Sequence, residues 1–181
     1  ADNLSRLVLQ GTGTVDGGLS NAYFNGTSNT TVQLEIARQE SLGGNLQIGA
    51  TANEETFLRI NSGINNLDLG TNTITFSDGA LLTMLSGGIK SGSNSAVVLN
   101  DDITTIPASM FVNNEVEDLT LDAADYTLGG DLTINGTLSQ SNLNLIYTKD
   151  NVLTFGENAT LPTFSGTKHV VGTMRRTVDN D

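Results

Sequence analysis

The apolar residues of this chain come in runs too short for most folds. They last three to five positions and stop, as in Leu7-Val8-Leu9, and most alternate with polar residues, as in Val32-Gln33-Leu34-Glu35-Ile36, Leu46-Gln47-Ile48, Phe57-Leu58-Arg59-Ile60, Ile74-Thr75-Phe76, Leu119-Thr120-Leu121, Leu132-Thr133-Ile134 and Leu153-Thr154-Phe155. A period of two sends alternate side chains to one face, which is the pattern of a half-buried strand. Turn chemistry separates the runs: Gly43-Gly44, Asp78-Gly79, Asn113-Asn114, Gly129-Gly130 and Asn135-Gly136 all favour tight or left-handed backbone. Only Thr31 to Leu42 tolerates a helix, and the alternation of Val32, Leu34 and Ile36 makes it a strand. The chain is therefore expected to be all-β.

The chain also aligns with itself. Leu42-Gly-Gly-Asn-Leu-Gln-Ile-Gly-Ala-Thr51 matches Leu128-Gly-Gly-Asp-Leu-Thr-Ile-Asn-Gly-Thr137 without a gap, and the segment Ile74 to Gly87 matches Leu153 to Gly166. Weaker echoes pair Leu34-Glu-Ile36 with Leu119-Thr-Leu121 and Val8-Leu9-Gln10 with Val98-Leu99-Asn100. This divides the chain into two pseudo-repeats, 1–92 and 93–181, expected to be continuous with each other. Two architectures fit. One is a parallel β-solenoid whose turns of ~20–25 residues stack inward Leu, Ile, Val and Phe into ladders. The other is a pair of tandem immunoglobulin-like β-sandwich domains of ~100 residues each. Short strands and the absence of Trp and Cys favour the solenoid. About eight turns at ~4.8 Å each would make a rod near 40 Å long.

Charge and composition remove several functions. With 20 acidic against 8 scattered basic side chains the net charge is −12, which does not suit a phosphate backbone, so no nucleic-acid partner is expected. No cysteine and a single histidine, His169, leave no thiolate or paired-histidine metal site. No apolar run approaches the ~18 residues of a membrane span, and no basic-then-apolar leader opens the chain. No cofactor is expected, with structural calcium as the exception: Asp101 and Asp102, or Asp179 and Asp181, could supply oxygens, although none shows a calcium-loop spacing.

Other acids, in Glu115-Val116-Glu117-Asp118 and at Asp122 and Asp125, could be paired carboxylates of a carbohydrate-cleaving β-helix. A solvated acidic coat explains them equally, and a chain without Trp lacks the usual aromatic platforms, so no catalytic residue is assigned. His169 reads as an exposed strand-edge residue. Arg175-Arg176 is a basic doublet in an acidic chain and the candidate for contact with a neighbouring repeat. Threonine alternation at Thr71, Thr73 and Thr75 does not recur often enough for an ice-binding array. The Asn-x-Ser/Thr triplets at Asn3, Asn25, Asn29, Asn135 and Asn158 suit incidental composition as well as glycan acceptors.

The stretch Asn151 to Val178, with Leu153-Thr-Phe-Gly-Glu-Asn-Ala159 followed by Val171-Gly-Thr-Met-Arg-Arg-Thr177, resembles repeats of large secreted surface proteins of Gram-negative bacteria, of the adhesin, autotransporter-like and type IX-secreted kind. Gly129-Gly-Asp-Leu-Thr-Ile-Asn-Gly-Thr-Leu138 is similar to their coil motif. The resemblance implies a non-enzymatic extracellular module at the cell surface, a rigid stalk, adhesive element or fibre segment, with no active residues named. Its partners would be neighbouring repeats, copies of itself or surface glycans. A carbohydrate-binding or carbohydrate-cleaving β-helix, and a filament subunit joined by strand addition, are the alternatives.

Overall fold

The computed structural model describes residues 3–9, 22–24, 30–49, 55–61, 66–100, 102–122, 125–140 and 144–178. The only helical turn among them is a 3-10 turn at Val112–Asn114; the regular structure is strand, and every pairing between named strands is parallel. The first turns hold β1 (Asn3–Leu9) and β2 (Ala22–Phe24), then β3 (Thr30–Ile36), β4 (Glu40–Ser41) and β5 (Leu46–Ile48). Next come β6 (Thr56–Asn61), β7 (Leu67–Asp68) and β8 (Thr73–Phe76), then β9 (Ala80–Ser86), β10 (Ile89–Lys90) and β11 (Ala96–Leu99). The later turns hold β12 (Thr105–Ile106), β13 (Glu115–Val116) and β14 (Asp118–Leu121), then β15 (Tyr126–Leu128), β16 (Leu132–Ile134) and β17 (Leu138–Gln140). The long β18 (Leu145–Phe155) and β19 (His169–Arg176) complete the stack.

Each turn adds one short strand to each of three ladders, so the fold is a parallel β-solenoid of about six turns. At about 4.8 Å per layer these turns span roughly 29 Å, and β18 and β19 stack beyond them as two further layers, toward the eight expected. Registered positions 48, 76, 99, 121 and 140 make successive turns 28, 23, 22 and 19 residues long, close to the expected size except for the first of them.

Alternation becomes burial along these ladders. Leu46, Ile74, Val97, Leu119 and Leu138 are stacked in register, as are Ile48, Phe76, Leu99 and Leu121, and all of them are buried. Leu34 and Leu58, and Ile36 and Ile60, do the same on the ladder of β3 and β6. Burying a side chain of this size contributes roughly 1.5–3 kcal/mol, so the stacked interior is the main source of stability. Among the described residues, polar side chains stand at the last paired positions of several ladders. Glu40 occupies the register position of Leu67 and is bonded to Arg38 Nη2 at 2.8 Å, Gln140 follows Leu121, and Arg176 follows Phe155. Charged or polar groups at inward positions of terminal turns discourage indiscriminate edge pairing.

Strand pairs Ala96↔Thr73 to Leu99↔Phe76 span the boundary at residues 92 and 93. The segments matched in sequence occupy different ladders: β5 and β8 lie in the ladder of β2 and β11, whereas their counterparts β16 and β18 pair with β13 and β15. Leu34-Glu-Ile36 and Leu119-Thr-Leu121 are likewise on different ladders. The matched segments thus share strand chemistry at positions rotated by one face.

Candidate functional site

The acids and amides that stood out in the sequence lie at the corners of the solenoid, and many of them bond backbone of an adjacent turn. Asn45 Oδ1 accepts from the Thr73 amide at 2.9 Å, Asn66 Oδ1 from Gly88 at 3.0 Å and Asp118 Oδ1 from Thr137 at 2.6 Å. Asp125 Oδ1 accepts from Leu145 at 2.9 Å and Asp131 Oδ1 from Val152 at 2.8 Å. In each case the side chain belongs to one turn and the amide to the next. A corner cannot continue the ladder, so its N–H groups need other acceptors, and short Asn and Asp side chains reach them. Asn72 Nδ2 works in the other sense, donating to Leu42 O at 2.8 Å and Leu69 O at 3.0 Å.

This accounts for part of the candidate chemistry. Asp118 and Asp125 clamp backbone, and Asp102 Oδ2 accepts from the Gly79 amide of the preceding turn. Asp122 is exposed, and its amide donates to the Tyr126 hydroxyl at 3.1 Å while that hydroxyl donates to Leu99 O at 2.7 Å. Glu115 is exposed and Glu117 half-buried. Asp101, Asp179 and Asp181 lie outside the described residues, as do Asn25 and Asn29. Among the described residues no group of three or more His, Asp or Glu side chains is placed to hold a metal ion. Asn135 and Asn158 are exposed.

Asp118→Ala is expected to lower stability by about 1 kcal/mol, because the half-buried Thr137 amide loses its acceptor, whereas Asp118→Asn retains an oxygen there and stays close to wild type. Urea unfolding of the two variants measures the contrast.

The basic residues divide by position. Lys90 Nζ sits 2.7 Å from Asp68 Oδ2 across neighbouring turns. Burial pushes the Asp68 carboxyl up, but the bond from Lys90, the bond from the Gly70 amide and the Lys90 charge outweigh it and hold the group below its ordinary 3.8. A carboxyl lowered on folding adds stability above its unfolded value, and that increment disappears as pH falls through the lowered folded value. Lys90→Met should therefore move the Asp68 titration upward, read from its side-chain carbon shift by NMR. Arg175 and Arg176 lie together on the exposed β19, in register with Thr154 and Phe155, and Arg176 Nη2 reaches Glu157 O at 3.4 Å. His169 Nδ1 is 3.1 Å from Ser165 O at the start of the same strand.

One feature was invisible in the sequence. On the first ladder, β9 ends the sheet β1-β3-β6-β9 and β12 opens the next, and among the described residues no backbone hydrogen bond joins Leu81–Leu85 to 102–107. The turn closed by the Ile103 amide on Asn100 O, with Pro107 beyond Ile106, leaves β12 only two residues long. A cleft of about 200 Å³ results, lined by Leu81, Leu82, Asp102, Ile103, Thr105 and Pro107. Leu82 and Met84, which continue the inward ladders of Leu58 and Ile60, are only partly buried there.

The fold and these corners define a parallel β-solenoid whose polar side chains largely tie turn to turn. No family model matches the chain, and neither the curated proteins nor the solved structures searched contain a match.

Proposed function

We propose that this chain is a non-enzymatic structural module, a rigid stalk or fibre segment of an extracellular bacterial surface protein with an adhesive role. The observation that carries the reading is the use of its polar residues: the corner amides and carboxylates bond backbone of adjacent turns, where they stiffen the stack. Stacked apolar ladders hold the rod together, and the −12 charge keeps its outer face solvated. The resemblance of Asn151 to Val178 to secreted surface repeats supplies the compartment and the cell-surface setting.

A screen against bacterial and host polysaccharides, scored for both binding and cleavage, tests this reading. A structural module leaves every polysaccharide intact. Specific cleavage of one of them, abolished by Asp122→Ala with the fold preserved, would replace the stalk by a carbohydrate-active β-helix.

A further inference from the structure

We propose that the cleft between β9 and β12 is a docking site for an extended peptide of another protein, which adds to the open edge of β9 as a parallel strand and places a basic residue beside Asp102. This goes beyond the stalk reading and does not depend on it.

The chemistry of the cleft selects the occupant. Interior strands such as β8, β11 and β14 are bonded on both sides by the turns before and after them, but β9 is paired with β6 only. Its outer edge offers main-chain donors and acceptors over Leu81–Leu85, and the group that matches such a row is another extended backbone. Side chains of the added strand would meet Leu82, Met84 and Ile103, whose inward stacking the short β12 leaves incomplete. The cleft, at about 200 Å³, is below the ~300 Å³ floor of typical small-molecule sites, which suits individual side chains from a strand better than an enclosed ligand.

Charge sets the polarity. Asp102 is exposed at the end of the cleft where β9 begins, held there by its bond to the Gly79 amide, and Asp78 is the residue before that glycine in the chain. No basic side chain lines the cleft among the described residues. A strand running parallel to β9 enters at this end, so its first residue is the one the carboxylates favour. Leu85, bulged out of the β6 pairing and 52% exposed, offers an apolar contact at the other end.

The probe is a blocked synthetic hexapeptide, Lys-Val-Thr-Val-Thr-Val, with two controls: the same peptide headed by Glu, and one with Pro at the third position. Titrated into the 181-residue chain and followed by amide NMR and hydrogen exchange, the Lys-headed peptide is expected to bind by about 1 mM and to slow exchange at Leu81–Leu85. The Pro peptide should not bind, because it lacks a ladder donor. Asp102→Asn, which keeps an oxygen for the Gly79 amide, should weaken the Lys-headed peptide about threefold and erase its advantage over the Glu-headed one. No binding at this concentration, equal binding of the Pro peptide, or protection confined to the edge of β19 would each overturn the proposal. None of these outcomes bears on whether the rod is a stalk.

Discussion

Phe76→Ala is expected to destabilise the protein by about 3–5 kcal/mol, the usual range for truncating a buried aromatic ring. Phe76 is 0% exposed and sits in register between Ile48 of the turn before and Leu99 of the turn after, so the cavity opens in the middle of a ladder. Both neighbouring side chains are fixed by their own strands, which limits collapse into the space. A solenoid transmits such a loss in one dimension, because each turn is stabilised by its two neighbours. Denaturant unfolding should show a lower midpoint, and hydrogen exchange should rise first at β5, β8 and β11. A change below about 1 kcal/mol would mean that the Phe76 ring is not in the core.

Gly49→Val is expected to be almost as damaging, at about 3 kcal/mol or more, for a reason that concerns backbone. Gly49 has φ +76°, and a Cβ there would lie 2.7 Å from Asp78 O and 2.9 Å from Ala80 N. The backbone is left-handed, and the neighbours are main chain of the next turn, which cannot rotate aside. A β-branched residue is poorly suited to such a conformation. Gly166→Ala is the control, since nothing lies within 4 Å of its added Cβ, and it should change the unfolding midpoint very little.

The architecture was legible wherever a residue's role follows from its own neighbours in sequence. Ile74 and Phe76, or Leu132 and Ile134, alternate with polar residues and are buried in register with their neighbours. What depends on the stacking of turns was hidden. Asp118 and Asp131 look like surface acids in sequence, and only the third dimension brings Thr137 and Val152 amides to them. Similarly, the match between Leu46-Gln-Ile48 and Leu132-Thr-Ile134 reports like strands without saying which ladder each one joins. The cleft escaped notice because it arises from a pairing not made: Asn100-Asp-Asp-Ile103 and Pro107 are ordinary turn residues until β9 is seen beside them with a free edge.

The same break identifies the weakest joint of the rod. Between the turn of β11 and that of β14 the strand pairing is limited to the four pairs from Ala96↔Asp118 to Leu99↔Leu121 and the bridge Ile89↔Phe111, beside side-chain bonds such as Gly79 N–H to Asp102 and Glu117 N–H to Ser91 Oγ, with no first-ladder pairing among the described residues. A stalk must hold its length across this joint. The direct test is to tether the chain near both ends and stretch it by single-molecule force spectroscopy. The account predicts a constant end-to-end length up to a discrete rupture that begins between β9 and β12. A gradual lengthening with no discrete rupture, or a first rupture elsewhere in the stack, would contradict a rigid load-bearing solenoid whose weak joint lies between β9 and β12.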